Sequence, residues 1–319
     1  MHIDIFNGDA DGIFSLHQYR LEKPQPRARR ITGVKRDIQL LDRVKDVAGK
    51  ILTVFDVSLD SNRLPLELIL ANNNSVVYFD HHFAGDIPQT PALKTFIEQS
   101  PDTCTSLIVN DKLAGKHRLW AICGAFGDNL HDSAQTLAKT IGLSEKKTRQ
   151  LQELGELFNY NGYGTTLSDL HFHPGKLYDA IFPYQSPFDF LENSSQLQDL
   201  REGYAEDLEQ AMKQNPLDIR GNNRIYRFPD TPWARRVTGV FSNLKARERT
   251  KGAHSVISEN DDSTLRISVR APLDNKRGAD TLCKLFPTGG GRAAAAGINS
   301  LPADQLELFI EKFLEYYPS

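Results

Sequence analysis

Carboxylates and imidazoles follow three short apolar runs in the first eighty residues. Asp9 and Asp11 come after the run at 3–6, Asp56 directly after 51–55, and Asp80, His81 and His82 directly after 76–79. Each run is too short for a buried helix and reads as a strand. In a parallel sheet, strand ends of this kind share one edge, where open α/β sheets bind their ligands. Ionised carboxylates gathered there repel one another and are costly to strip of water unpaired. A divalent cation resolves that conflict. Oxygen donors with one or two imidazoles suit Mn²⁺ or Mg²⁺ better than a thiolate-seeking metal. Two such ions ~3.5–4 Å apart would clamp the attacking and leaving oxygens of an in-line phosphoryl displacement, and one would lower the pKa of a bound water.

Taken singly, Asp9 or Asp56 reads more readily as a helix cap or Asx-turn residue, and His81 with His82 equally well as a surface pair. Three acidic strand ends meeting on one edge are much harder to explain as caps. The combination favours a metal.

The elements that must position these residues follow from periodicity. Helical spacing at 12–19, 37–47 and 62–70 between the three strands implies βαβ units and a mostly parallel sheet. From 103 to 158 the pattern is helical, with Leu151, Leu154, Leu157 and Phe158 forming one apolar stripe. The Pro- and Ser-containing stretch 183–195 marks a boundary, followed by a connecting helix with Leu197, Leu200, Tyr204 and Leu208 on one face. Strands at 224–228 and 265–269, with helices at 233–245 and 304–317, then restart the alternation. The expected fold class is α/β: a domain at 1–188, a connector at 189–218 and a smaller α/β domain at 219–319, with the active site in a cleft between the domains.

A chain of 319 residues exceeds the usual single-domain size, and 39% hydrophobic with 25% charged residues is ordinary for a globular protein. No apolar run approaches the ~20 residues needed to span a bilayer, and residues 1–6 do not read as a signal peptide. Cys104, Cys123 and Cys283 are isolated, which suggests neither a zinc ribbon nor a disulfide framework and points to a reducing, cytoplasmic location. A net charge of −3 disfavours binding to long duplex DNA, which relies on many basic contacts, but leaves room for a small phosphate-bearing ligand.

The triplet Asp80-His81-His82 resembles the signature of the DHH phosphoesterase superfamily, to which the RecJ exonucleases belong. Gly8-Asp9-Ala10-Asp11-Gly12 is similar to its first motif, Asp56 to its second, and Asp128 in Gly124-Ala-Phe-Gly-Asp128 to its fourth. Order and spacing agree over most of the first 130 residues. The C-terminal part resembles the type-1 DHH-associated domain. Its signature here is the run Gly289-Gly290-Gly291-Arg292 leading into Ala293–296 and Gly297, read as a glycine-rich turn before a helix start, with the strand at 266–270 preceding it. Successive glycines let backbone N–H groups approach an anion, and a helix N-terminus would add a favourable dipole. A bare tight turn is the plainer reading; Arg270 and Arg292 beside it favour phosphate binding.

The resemblance implies that Asp11, Asp56, His81 and Asp128 hold one Mn²⁺, with Mg²⁺ as the other candidate. A second ion would share Asp56 and add Asp9 and Asn7. His82 would face the scissile phosphate as a hydrogen-bond donor or acid, with Asp80 also in the catalytic set, and Arg270 and Arg292 would grip another phosphate. Two residues depart from the family: Asn7 stands where His or Asp is usual, weakening the second site, and Arg292 stands where His is usual. Size and layout resemble the bifunctional oligoribonuclease/phosphatase group. That implies hydrolysis of short oligonucleotides or linear dinucleotides to nucleoside monophosphates by metal-bound hydroxide. The alternatives are a phosphomonoesterase acting on 3′-phosphoadenosine 5′-phosphate or polyphosphate, and a non-catalytic nucleotide binder with a degenerate second metal site. A homodimer is compatible with the sequence, and no membrane partner is expected. The basic cluster Lys245, Arg247, Arg249 and Lys251 reads as a solvated helix end, and His171 and His173 as surface or packing residues.

Overall fold

The computed structural model describes residues 1–260 and 262–318. It divides into two compact units, Met1–Glu202 and Gly203–Ser319.

The first unit is built on a five-stranded parallel sheet. Its strands are β1 (His2–Phe6), β2 (Arg29–Ile31), β3 (Ile51–Phe55), β4 (Ser75–Asp80) and β5 (Leu93–Ile97), in the order β2-β1-β3-β4-β5. Their near-continuous apolar runs suit a sheet covered on both faces. Phe6, Phe55, Phe79 and Phe96 stand directly opposite one another across four strands. The Phe55 and Phe79 rings stack 5.4 Å apart, and those of Phe79 and Phe96 4.7 Å apart. A slip of one residue would throw this row onto the other face, so it locks the register. The positions just after the phenylalanines, Asn7, Asp56 and Asp80, are thereby set beside one another at the carboxyl edge.

Helix α1 (Ala10–Glu22) follows β1, α2 (Arg63–Ala71) joins β3 to β4, and α3 (Thr105–Lys112), α4 (Arg118–Gly127), α5 (His131–Thr140) and α6 (Glu145–Gly162) follow β5. Two short helices, α7 (Pro174–Ile181) and α8 (Pro187–Asn193), lead to α9 (Ser195–Met212), within which the units divide. Residues 10 to 20 of α1 are all buried, because sheet and helices enclose it. Its polar side chains therefore find partners: Arg20 pairs with Asp4 of β1 and donates to Thr53 Oγ1 of β3 at 3.1 Å.

His17 of α1 is 1% exposed, packs edge-on to Trp120 at 4.6 Å and lies 2.9 Å from the Tyr184 carbonyl. Burial pulls its pKa down from 6.5 to about 4, partly offset by that carbonyl. The folded state thus resists the proton that the unfolded chain takes up below pH ~6.5. Stability from neutral His17 is intact above that pH and is lost as the pH falls towards 4, by about 3 kcal/mol in total. Urea unfolding of wild type and His17→Gln at both ends of that range should show their stability difference shrinking by that amount. A pH-independent difference would contradict the assignment.

The second unit carries β6 (Pro216–Arg220), β7 (Asn223–Arg227), α10 (Pro232–Glu248), β8 (His254–Glu259), β9 (Leu265–Arg270), α11 (Ala279–Cys283), β10 (Gly289–Arg292), β11 (Ala295–Leu301) and α12 (Leu306–Tyr316). The sheet runs β10-β11-β9-β8-β7-β6, antiparallel except for β7 with β8. Alternation along the strands gives it two cores. Ile257, Ile267 and Val269 pack with Phe309 and Phe313 of α12, while Tyr226 and Val256 pack with Val237 and Phe241 of α10.

Two expectations are corrected. Residues 37–47 do not form an α-helix: Leu40–Val44 is a 3₁₀ turn. Asp42 N bonds Gln39 O and Val47 N bonds Val44 O, the three-residue spacing of that tighter form, while Leu40, Leu41 and Val44 bury against the sheet. The glycine run does not lead into a helix start either. Residues Gly289–Arg292 form an edge strand that folds back on Ala295–Leu301. Gly291 has φ +137, and a Cβ there would fall 2.5 Å from Ala296 Cα, so the glycines permit a close hairpin. The helix-dipole contribution to anion binding is therefore absent at this place.

Among the described residues, no helix is long and apolar enough to cross a membrane. The three cysteines are free and buried.

Candidate metal centre

The carboxyl edge of the first sheet collects Asn7, Asp9 and Asp11 from the β1–α1 turn, Asp56 after β3, Asp80 at the end of β4 with His81 and His82 beyond it, and Asp128 at the C-cap of α4. Asp56 takes the left-handed conformation, φ +57, which costs energy for a non-glycine residue and is typical of functional sites. Helix α4 reaches the site through Gly124, where a Cβ would fall 2.1 Å from Ser106 Oγ and 3.3 Å from Asp11 Oδ1.

Asp11, His81 and Asp128 can each offer one donor atom such that all three atoms lie within 4.8 Å of one another, and Asp56, His81 and His82 can do the same. His81 belongs to both groups: its Nε2 lies 3.4 Å from Asp56 Oδ1 and 3.8 Å from Asp128 Oδ2. Asp11 is fully buried and accepts from the main-chain N–H of Ser106 at 2.7 Å and of Thr105 at 2.8 Å, which places its charge at the N-terminus of α3. Thr105 Oγ1 donates to Asp56 Oδ1 at 3.2 Å. A carboxylate oxygen has lone pairs enough to accept these bonds and still bind a cation.

The electrostatics show what the cluster lacks. Burial, then the charge of Asp56, pushes Asp11 up to about 7. Burial pushes Asp128 up to about 6 against the pull of Lys35. Burial also raises Asp56, with Asp9 adding to it. Against its own burial, His81 is raised to about 10 by Asp56, Asp11 and Asp128. Burial first, and then mutual repulsion, draws protons to these acids, while their charges draw one to the imidazole; a divalent cation would relieve both. Oxygen-rich donors with an imidazole fit a hard or borderline divalent ion such as Mn²⁺ or Mg²⁺.

Asp80 is wholly buried, and its Oδ1 lies 2.7 Å from Nδ1 of His82, whose side chain is nearly half exposed. Burial works against charging His82, but the Asp80 hydrogen bond leads in raising it to about 9. The pair is a carboxylate that orients an accessible imidazole and favours its protonated form.

Asn7 and Asp9 are engaged differently. Asp9 Oδ1 caps α1 by accepting from Gly12 N at 3.1 Å, and its Oδ2 lies 2.5 Å from Lys35 Nζ. Lys35 Nζ also donates to Asn159 Oδ1 at 2.8 Å and sits 3.7 Å from Asp128 Oδ1. Burial opposes its charge, yet Asp9, with Tyr163 and Asp128, raises it well above the usual lysine range. Asn7 Nδ2 donates to the Lys35 carbonyl at 3.2 Å. Lys35, Asn159, Thr105 and Ser106 are the site residues that sequence reasoning missed. The available signal was the Gly33-Val-Lys35 turn, which follows the short strand β2 onto the same edge.

In the second unit, His254, Arg270, Ala295 and Arg292 stand opposite one another across β8, β9, β11 and β10, so both arginines share one face. Arg270 Nε donates to Asn243 Oδ1 at 2.7 Å, and Arg292 is exposed. His171 Nε2 lies 2.8 Å from the Tyr160 hydroxyl, and His173 Nδ1 caps α7 by accepting from Gly175 N. These two histidines serve packing and capping.

No family model matches the sequence, and no match to a curated protein was found. Solved structures do match. A RecJ exonuclease bound to manganese superposes with a TM-score of 0.61 at 13% identity, over 99% of this chain and 90% of that one. RecJ from Thermus thermophilus in complex with Mn²⁺ gives 0.63 at 13% identity, over 99% of this chain but 52% of that one. The pGpG-specific phosphodiesterase PggH from Vibrio cholerae gives 0.53 at 12% identity, over 98% and 99%. The chain shares the fold of these proteins, a parallel α/β sheet with a second sheet-bearing unit.

Proposed function

We propose that this chain, with its DHH-type fold, is a metal-dependent phosphodiesterase that hydrolyses short oligonucleotides or linear dinucleotides to nucleoside monophosphates. The observation that carries the reading is the convergence of Asp11, Asp56, His81 and Asp128 at the carboxyl edge of a parallel sheet, where donor atoms of Asp11, His81 and Asp128 lie close enough to share one ion and Asp56 Oδ1 stands 3.4 Å from the same His81 Nε2. These four residues would hold a Mn²⁺ or Mg²⁺ ion. A cation bound there supplies positive charge against a phosphate and lowers the pKa of a water in its shell.

The protein's own groups do the rest. His82, oriented by Asp80 and protonated near neutral pH, offers a hydrogen bond or a proton to an oxygen of the scissile phosphate. Asp11 is fixed by the Thr105 and Ser106 N–H groups, so the donor set is organised before any ligand arrives. Arg270 and Arg292, on one face of the second sheet, would give that unit two guanidiniums for binding an anion. A fold match of nearly full length to a dinucleotide phosphodiesterase supports a small substrate.

The test is turnover of 5′-phosphorylated RNA of two to five nucleotides by nuclease-free protein with Mn²⁺. Release of nucleoside monophosphates is expected. Phosphate release from 3′-phosphoadenosine 5′-phosphate or polyphosphate without dinucleotide cleavage would overturn the substrate. Tight dinucleotide binding without turnover would overturn the enzyme.

A further inference from the structure

We propose that the Lys35 ammonium stands in for a second divalent cation, so that the site holds one metal ion beside a built-in monovalent charge. This rests on the metal reading of the site and narrows it.

The position that a second ion would take, bounded by Asp9 and Asn7, is already served. Lys35 Nζ is 2.5 Å from Asp9 Oδ2 and 2.8 Å from Asn159 Oδ1, with Asp128 Oδ1 at 3.7 Å. Asp9 Oδ1 caps α1 through Gly12 N, and its Oδ2 is the oxygen that Lys35 holds. Asp9 lies outside both groups of histidine and aspartate side chains whose donor atoms could meet at one metal among the described residues. Asn7 brings no negative charge, and its Nδ2 is spent on the Lys35 carbonyl. Its buried Oδ1 has no hydrogen-bond partner among the described residues and is a neutral oxygen, a weaker donor to a divalent ion than a carboxylate.

Lys35 is tethered as a cation built into a site would be. Its main-chain N donates to Gly162 O at 2.9 Å, and its Nζ lies 5.5 Å from the centre of the Tyr163 ring. Close approach at Gly8, where a Cβ would fall 1.8 Å from Gly33 O, holds the Lys35 loop against the β1 turn. A divalent ion and an ammonium competing for the same Asp9 oxygen would repel each other strongly in a half-buried site. With Lys35 in place, the four carboxylates Asp9, Asp11, Asp56 and Asp128 face one ammonium and one divalent ion.

The chemistry differs from that of a two-ion site. An ammonium is a point charge with three donors and no acidic water of its own. Two donors are used by Asp9 and Asn159, and Asp128 lies beyond hydrogen-bond distance, which leaves one N–H for an oxygen of a bound phosphate.

The experiment counts ions without reference to turnover. Wild type and the double variant Lys35→Ala with Asn7→His are titrated with Mn²⁺ by equilibrium dialysis, and the bound fraction is read by electron paramagnetic resonance. Wild type should saturate at one ion per chain with an uncoupled signal, and the double variant at two with a coupled one. Two coupled ions in the wild type would overturn the role of Lys35 while leaving the metal reading standing. A folded double variant that still binds one ion would overturn it as well. No bound ion in the wild type would sink the metal reading itself. The wild-type count decides the matter even if the double variant fails to fold.

Discussion

Replacing His81 with alanine is expected to lower turnover by roughly 10³-fold or more, because a divalent ion supplies several kcal/mol of transition-state charge stabilisation. His81 is the single side chain common to both groups that can bind a metal. Its loss leaves Asp11, Asp56 and Asp128 as a purely anionic set, without the imidazole that now sits within 4 Å of Asp56 and Asp128. A ligand that binds only the folded state raises the unfolding temperature, so wild type should gain thermal stability with added Mn²⁺ and the variant should not. An Mn²⁺-dependent rise of equal size in both proteins would remove His81 from the centre.

The other large effect concerns the scaffold. Asp4 and Arg20 form an ion pair whose side chains are 2% and 4% exposed. Replacing Asp4 with alanine strands a guanidinium inside the protein and should cost about 3–5 kcal/mol. Urea unfolding reads this directly. The paired replacement of Asp4 by leucine and Arg20 by methionine should recover most of the loss, since apolar groups of similar size leave no buried charge unmet. Arg20 also reaches Thr53 of β3 and the Lys23 carbonyl, so the pair pins α1 across two strands. The same helix begins at the Asp9–Asp11 turn, and a milder loss of Mn²⁺ affinity should accompany the loss of stability. A cost below about 1 kcal/mol would mean that water reaches Arg20 in the folded protein.

The parallel sheet was legible because β1, β3 and β4 are unbroken apolar runs, each closed by acidic or histidine residues at a carboxyl end. The phenylalanine row sharpens this, for the same residues that bury in the sheet set Asn7, Asp56 and Asp80 side by side. Asp128 was legible only through its motif, because nothing in local spacing brings the end of α4 to a strand edge. That contact depends on tertiary packing at Gly124. Lys35 was missed for a related reason: β2 is only three residues long, with two exposed, and gives no periodic signal. The glycine run misled because consecutive glycines serve an anion-binding turn and a tight hairpin equally well. Cross-strand partners, not sequence, decide between the two. At 37–47 the apolar spacing was real but too brief, and Leu40, Leu41 and Val44 bury as well from a 3₁₀ turn as from an α-helix.

The central claim is most directly tested by anomalous diffraction at the manganese edge from crystals grown with Mn²⁺. The account predicts a peak bounded by Asp11, Asp56, His81 and Asp128, absent in crystals of His81→Ala. A peak elsewhere in the chain, or none at that edge in a protein that still cleaves dinucleotides with Mn²⁺, would contradict it.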